Sequence, residues 1–97
     1  MDRGQIIIKI GENTIKDPSA LALRAIGWIV SDEARGERFL ALTGLTPELL
    51  REQLGSAEVQ RAALEFLGAH EPDLVAAAEA LDVAPADLVA AGERLGA

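Results

Sequence analysis

The chain has 97 residues, 49% of them hydrophobic and 26% charged, which predicts a single globular domain rather than a disordered tail. It contains no cysteine, so disulfides, thiolate metal sites and cysteine nucleophiles are excluded. The formal net charge of −7 arises in residues 41–97, and such an acidic surface argues against nucleic acid and anionic membranes as partners.

Residues 1–16 differ in composition from the rest of the chain. Ile6, Ile7 and Ile8 belong to a β-branched run at residues 5–10 that predicts a strand, and the Gly-Glu-Asn sequence at 11–13 predicts a turn. A lone two-stranded ribbon is only marginally stable in water. We therefore expect an extended or mobile arm, or a short hairpin completed by a second strand at residues 14–16, that packs on the helices, pairs with another chain or is disordered. A single helical domain over residues 17–97 follows it.

Prolines and glycines divide that domain into six predicted helices. Four prolines stand where a first helical turn begins, a position at which the missing N–H costs nothing. They are Pro18, Pro47, Pro72 and Pro85. Three glycines follow apolar runs, where a left-handed residue ends a helix. They are Gly44, Gly55 and Gly96.

The predicted helices cover residues 18–30, 32–43, 47–54, 57–69, 72–81 and 85–95. The connections between them are short, which favours neighbouring helices packed against one another. The predicted fold is therefore all-α, a compact array of five to six short helices around an apolar first helix.

The first predicted helix is apolar around almost its whole circumference, and Arg24 is its one charged residue. Such a helix either lies at the centre of a fold or is covered by a partner. In the second case Leu21, Trp28 and Ile29 would stay exposed as an interaction patch. The second candidate surface is the strand edge of the arm, formed by Ile6, Ile7 and Ile8. We predict that the chain forms a weak homodimer through one of these two surfaces.

Two further expectations concern packing. Phe66 lies in the most regular apolar period of the chain, in the fourth predicted helix, and is therefore predicted to belong to the core. Gly27 and Gly92 lie inside apolar helical patterns, where glycine weakens a helix. We expect both to allow close contact between helices.

Candidate catalytic residues are few. His70 is the one histidine, so the two-histidine zinc motif of metalloproteases is absent, and we expect this side chain near the end of the fourth helix to favour the helix dipole. The carboxylates fall on the outer faces of the predicted helices, as solvated side chains do. Catalytic, cofactor-binding and metal-binding residues are predicted to be absent.

The junction at residues 80–89 has the cadence of a helix-turn-helix, with a short turn, an apolar plug and a second helix. A helix that reads DNA bases carries Arg, Lys, Asn or Gln. Between Pro85 and Leu95 only Arg94 is of that kind. We interpret the junction as a structural corner.

Several segments of the chain resemble a known family. They include residues 23–29, the string RFLALTGL at 38–45, HEPDL at 70–74 and PADL at 85–88. Together they are similar to the small bacterial proteins catalogued as domain of unknown function 3572, over residues 17–95. The resemblance implies a cytoplasmic, all-helical bacterial domain, and it implies no activity, cofactor or catalytic residue.

We favour a non-enzymatic module that acts by protein–protein contact, with an unidentified protein partner. Neither a secretory nor a membrane-spanning segment is recognisable, which favours a cytoplasmic protein. The alternatives are a regulator of the helix-turn-helix type, which needs a basic surface, and a small hydrolase that uses carboxylates, which needs a polar pocket.

Overall fold

A computed structural model of the chain describes residues 17–96. These residues form six helices and no strand. They are α1 (Pro18–Val30), α2 (Glu33–Thr43), α3 (Pro47–Glu52), α4 (Ala57–Gly68), α5 (Glu71–Leu81) and α6 (Pro85–Gly96). The all-α prediction is confirmed, and each predicted boundary agrees to within two residues. The predicted arm, with Ile6, Ile7 and Ile8, lies outside the described residues.

Short side chains cap the starts of four helices, which is why the sequence locates them well. Asp17 accepts a hydrogen bond from the backbone N–H of Ser19 at 3.0 Å, and Asp32 accepts one from Arg35 at 2.9 Å. Thr46 and Ser56 cap α3 and α4 in the same manner. Such caps contribute about 1 kcal/mol each.

The helix ends agree less well with the predicted glycine stops. Gly44 ends α2 in the left-handed conformation, with φ of 78°, as predicted. Gly55 and Gly96 do not adopt a positive φ. The left-handed residue that ends α5 is Asp82, with φ of 59°, and the next N–H, of Val83, donates to the carbonyl of Ala78 at 3.0 Å. Aspartate tolerates this conformation better than most residues, so it can replace glycine there.

Helix α1 is the centre of the fold. It packs against α2, α4, α5 and α6, while α4 and α6 pack extensively on each other. Its inner face is buried and consists of Leu21, Ala22, Ala25, Ile26 and Ile29. The outer face carries Leu23 and Val30, whose exposed fractions are 42% and 46%. The prediction of a central helix is thus confirmed, although one stripe of that helix faces solvent.

The aromatic residue at the centre of the core is Phe39. It is fully buried, whereas Phe66 is half-buried and packs edge-on against Phe39 with ring centroids 5.3 Å apart. Phe66 therefore packs against the core, as predicted, but it lies at the edge of the buried face of α4 rather than at its centre. The buried face of α4 consists of Val59, Gln60, Ala63, Leu64 and Leu67, and the buried Gln60 amide donates to the Leu54 carbonyl at 2.7 Å.

Replacing the two phenylalanines tests this assignment. Phe39→Ala should lower the free energy of unfolding by about 3–5 kcal/mol, since it leaves a cavity in a closed site. Phe66→Ala should cost less, because solvent already reaches that ring. Urea titrations followed by circular dichroism would measure both values, and an equal or larger loss for Phe66→Ala would contradict the assignment.

The two glycines inside helices have different surroundings. A Cβ placed on Gly92 would lie 3.2 Å from Leu64 Cβ, so α6 approaches α4 closely there, as predicted. A Cβ on Gly27 would meet nothing within 4 Å. The prediction of close contact is wrong for Gly27, because this position lies on the solvent-facing stripe of α1.

These glycines provide a matched pair of substitutions. Gly27→Ala should raise the free energy of unfolding by about 0.5–1 kcal/mol, because alanine favours the helix and nothing obstructs its methyl group. Gly92→Ala should raise the free energy of unfolding by less, or lower it, since Leu64 must move to make room for the methyl group. Thermal melts of the two variants would give the difference, and equal gains would show that α4 and α6 adapt freely.

Candidate functional site

The predicted interaction patch on α1 does not form. Leu21 and Ile29 are fully buried in the core, where α4 and α6 cover them. The prediction that these two side chains stay exposed is wrong, because the alanine-rich helices approach α1 closely enough to enclose it. Trp28 is half-buried at the edge of this core.

Trp28 is covered on one side by Arg35 of α2. The guanidinium carbon lies 3.5 Å from the centroid of the indole ring. The same guanidinium donates to the carbonyls of Trp28 at 2.6 Å and Ile29 at 3.2 Å. It thereby places a positive charge at the C-terminal end of α1, where the helix dipole favours one. Through the ring contact and these hydrogen bonds, Arg35 holds α2 against α1.

Two other arginines are also engaged in contacts within the fold. Arg24 of α1 donates to the Leu81 carbonyl at 2.8 Å and supports the corner after α5. Arg38 of α2 pairs with Asp73 of α5. Together with Arg35 and the exposed Arg51, these are the residues from which a basic stripe would have to be built. Three of the four already hold helices together.

His70 lies between α4 and α5, and its Nδ1 is 3.0 Å from the Asp73 carboxylate that also pairs with Arg38. The position near the end of α4 agrees with the sequence, but the contact with Asp73 was not foreseen. Ser56, which caps α4, is engaged in a structural role. Among residues 17–96, no three histidines or carboxylates come together as metal ligands would.

The corner between α5 and α6 is closed by backbone and side-chain bonds. After Asp82, the backbone N–H of Ala84 donates to the Asp87 carboxylate at 2.9 Å, which fixes the first turn of α6. Arg24 holds the preceding carbonyl, of Leu81. Every polar group in these contacts stabilises the bend itself, which supports its interpretation as a structural corner.

A concave surface forms where the end of α1 meets α2 and α3. We call it the interhelical groove, and its volume is about 320 Å³. Its floor is apolar and consists of Val30, Gly36, Leu40, Pro47 and Leu50. Its rim is charged and consists of Asp32, Glu33, Glu37 and Arg51. Gly36 has no side chain to fill the floor, and a Cβ there would lie 3.4 Å from Val30 Cα.

Sequence reasoning missed this groove. The three carboxylates had a local signal, since Asp32, Glu33 and Glu37 recur on one side of a helix start. The apolar floor had none, because its members come from three helices. A second depression of about 330 Å³ lies between α4 and α6, with Leu64, Gly68 and Val89 in its lining and two glutamates, Glu65 and Glu93.

Within residues 17–96, no helix has the length and apolar character needed to cross a lipid bilayer.

Comparison with known proteins gives one match. The model of a family described as "Protein of unknown function (DUF3572)" matches residues 15–97, so the chain belongs to that family. No curated protein and no solved structure matches the chain.

The contact between Arg35 and Trp28 can be tested directly, because Trp28 is the single tryptophan of the chain. Arg35→Lys should lower the melting temperature and change the tryptophan emission, since one ammonium group cannot stack on the ring and bond two carbonyls together. Arg51→Lys, at the exposed rim of the groove, is the matched control and should change neither. Unchanged emission in Arg35→Lys would contradict the stacked geometry.

Proposed function

We propose that this member of the DUF3572 family is a cytoplasmic, non-enzymatic interaction module whose interhelical groove binds a short apolar segment of a partner protein, flanked by lysine or arginine. The observation that carries the proposal is the pairing of an apolar floor with three rim carboxylates in one groove.

The size of the groove favours side chains over a whole small molecule. Sites for small ligands usually measure about 300–1,000 Å³, so this groove stands at the lower limit. Fully burying one leucine or isoleucine side chain contributes about 1.5–3 kcal/mol. Val30 is 46% exposed, and a partner side chain that covered it would remove apolar surface on both molecules from water.

The charge of the rim determines which residues are favourable beside the apolar residues of the partner segment. Asp32, Glu33 and Glu37 are exposed and lie along the start of α2, and Arg51 of α3 is the single cation in the lining. A partner segment with lysine or arginine beside its apolar residues would complement this field, whereas an acidic segment would be repelled. The chain's own net charge of −7 further disfavours acidic partners.

The two alternative functions find less support. A helix-turn-helix regulator would read DNA with α6, which has Arg94 as its single basic residue, and Arg24, Arg35 and Arg38 are engaged inside the fold. A carboxylate hydrolase would need paired acids in a site that excludes water. The carboxylates of the groove stand on its exposed rim.

Site-specific crosslinking tests the proposal. A photo-crosslinking amino acid at position 33, on the rim, should capture protein segments in the cells of origin, and one at position 76, on the exposed side of α5, should not. Mass spectrometry of the crosslinked peptides should find apolar residues beside lysine or arginine. Leu40→Asp, which places a charge on the floor, should abolish capture.

Charge reversal supplies the matched control. Glu33→Lys with Glu37→Lys should reduce capture, while Glu52→Lys with Glu79→Lys, which changes net charge equally at exposed sites outside the groove, should leave it intact. Equal capture at positions 33 and 76, or equal loss with both double variants, would contradict the assignment of the groove. Recovery of acidic peptides would contradict the assignment of partner chemistry.

A further inference from the structure

We propose that residues 6–10 of this chain bind the interhelical groove within the same molecule and compete there with the partner segment. The inference rests on the proposed function of the groove and adds a regulatory occupant to it. The occupant has the chemistry that the groove selects, since Ile6, Ile7, Ile8 and Ile10 surround Lys9. The described surface provides the path, the reach and the charge that such binding needs.

The path is the solvent-facing stripe of α1. Leu23, Gly27 and Val30 follow one another along this helix at spacings of four and three residues, and so lie on one side of it. Leu23 and Val30 are 42% and 46% exposed, and the space over Gly27 is open. Val30 also lines the groove. An apolar track therefore runs from Leu23 to the groove.

The reach is sufficient. Helix α1 has 13 residues and advances about 18 Å from Pro18 to Val30. The chain enters α1 at Asp17, and the six residues 11–16 span at most about 20–22 Å when extended. Residues 6–10 can then lie over the end of α1 and the groove, while the connecting residues follow the stripe.

The charge also fits. Lys9 stands next to the isoleucines, and Arg3 precedes them, so this part of the arm is cationic near its apolar residues. The one charged residue of α1 is Arg24, and its guanidinium donates a hydrogen bond to the Leu81 carbonyl at the end of α5. The rim of the groove offers Asp32, Glu33 and Glu37. Lys9 thus meets carboxylates at the groove, where a cation is favoured.

Attachment to the same chain favours this occupant over a second copy. A short linker gives an effective concentration of about millimolar order, so a segment of weak intrinsic affinity can still fill the groove. Two copies of a chain with net charge −7 repel each other instead. The family match covers residues 15–97, so residues 6–10 are not part of the region that the family shares.

Paramagnetic relaxation in the full-length chain tests the proposal. Since the chain has no cysteine, Gly4→Cys accepts one nitroxide label. The label should broaden the backbone amide signals of residues 30–37 at the groove and leave those of residues 75–80 sharp. Ile7→Asp with Ile8→Asp should abolish the broadening. The matched arm variant Thr14→Asp, outside the proposed contact, should retain it.

Two further samples separate the outcomes. Glu33→Lys with Glu37→Lys should weaken the broadening without touching the core, whereas Glu52→Lys with Glu79→Lys should not. Labelled chain mixed with unlabelled ¹⁵N chain should broaden nothing; broadening in that mixture would assign the groove to a second copy and overturn the proposal. Absence of broadening in the labelled chain alone would also overturn it. If groove crosslinking to a partner persisted, the proposed function would survive that failure.

Discussion

Burial of one face of α1 is the constraint on which the rest of the structure depends. Four helices pack against it, and the side chains that meet there are mostly alanine, leucine and isoleucine. Small side chains allow the helices to approach closely, as the contact of Gly92 with Leu64 shows. A chain of this size can bury only about 60–70% of its surface. Close approach around a single central helix is how this sequence encloses Leu21 and Ile29.

Arginine side chains bind backbone carbonyls at the ends of two helices, where apolar packing provides no hydrogen-bond donor. Arg35 occupies the carbonyls at the end of α1, and Arg24 occupies one at the end of α5. These three bonds are made to carbonyl groups in the last turns of the two helices, where the regular pattern of helix hydrogen bonds ends. Arg38, paired with Asp73, joins α2 to α5. Three arginines of the described domain, Arg24, Arg35 and Arg38, therefore join helices to one another.

The same arrangement explains why the candidate site lies where it does. The two short connections that flank α3 leave it attached mainly through Leu50, the one residue of that helix that is buried. A gap remains between α3, α2 and the end of α1. The groove is thus a consequence of a peripheral short helix beside a closed core. Its acidic rim comes from residues near the start of α2, where carboxylates also interact favourably with the helix dipole.

The sequence by itself determined the number, type and limits of the helices and the central place of α1, because caps, prolines and apolar periodicity act within a few residues. It did not determine which face of each helix is covered by a neighbouring helix. Phe66 and Phe39 have equally apolar neighbours, and Gly27 and Gly92 have similar local patterns, yet their environments differ. The Arg24 contact spans 57 residues, and the floor of the groove comes from three helices. Only tertiary packing decided these features, because each depends on which distant helix lies across from the residue.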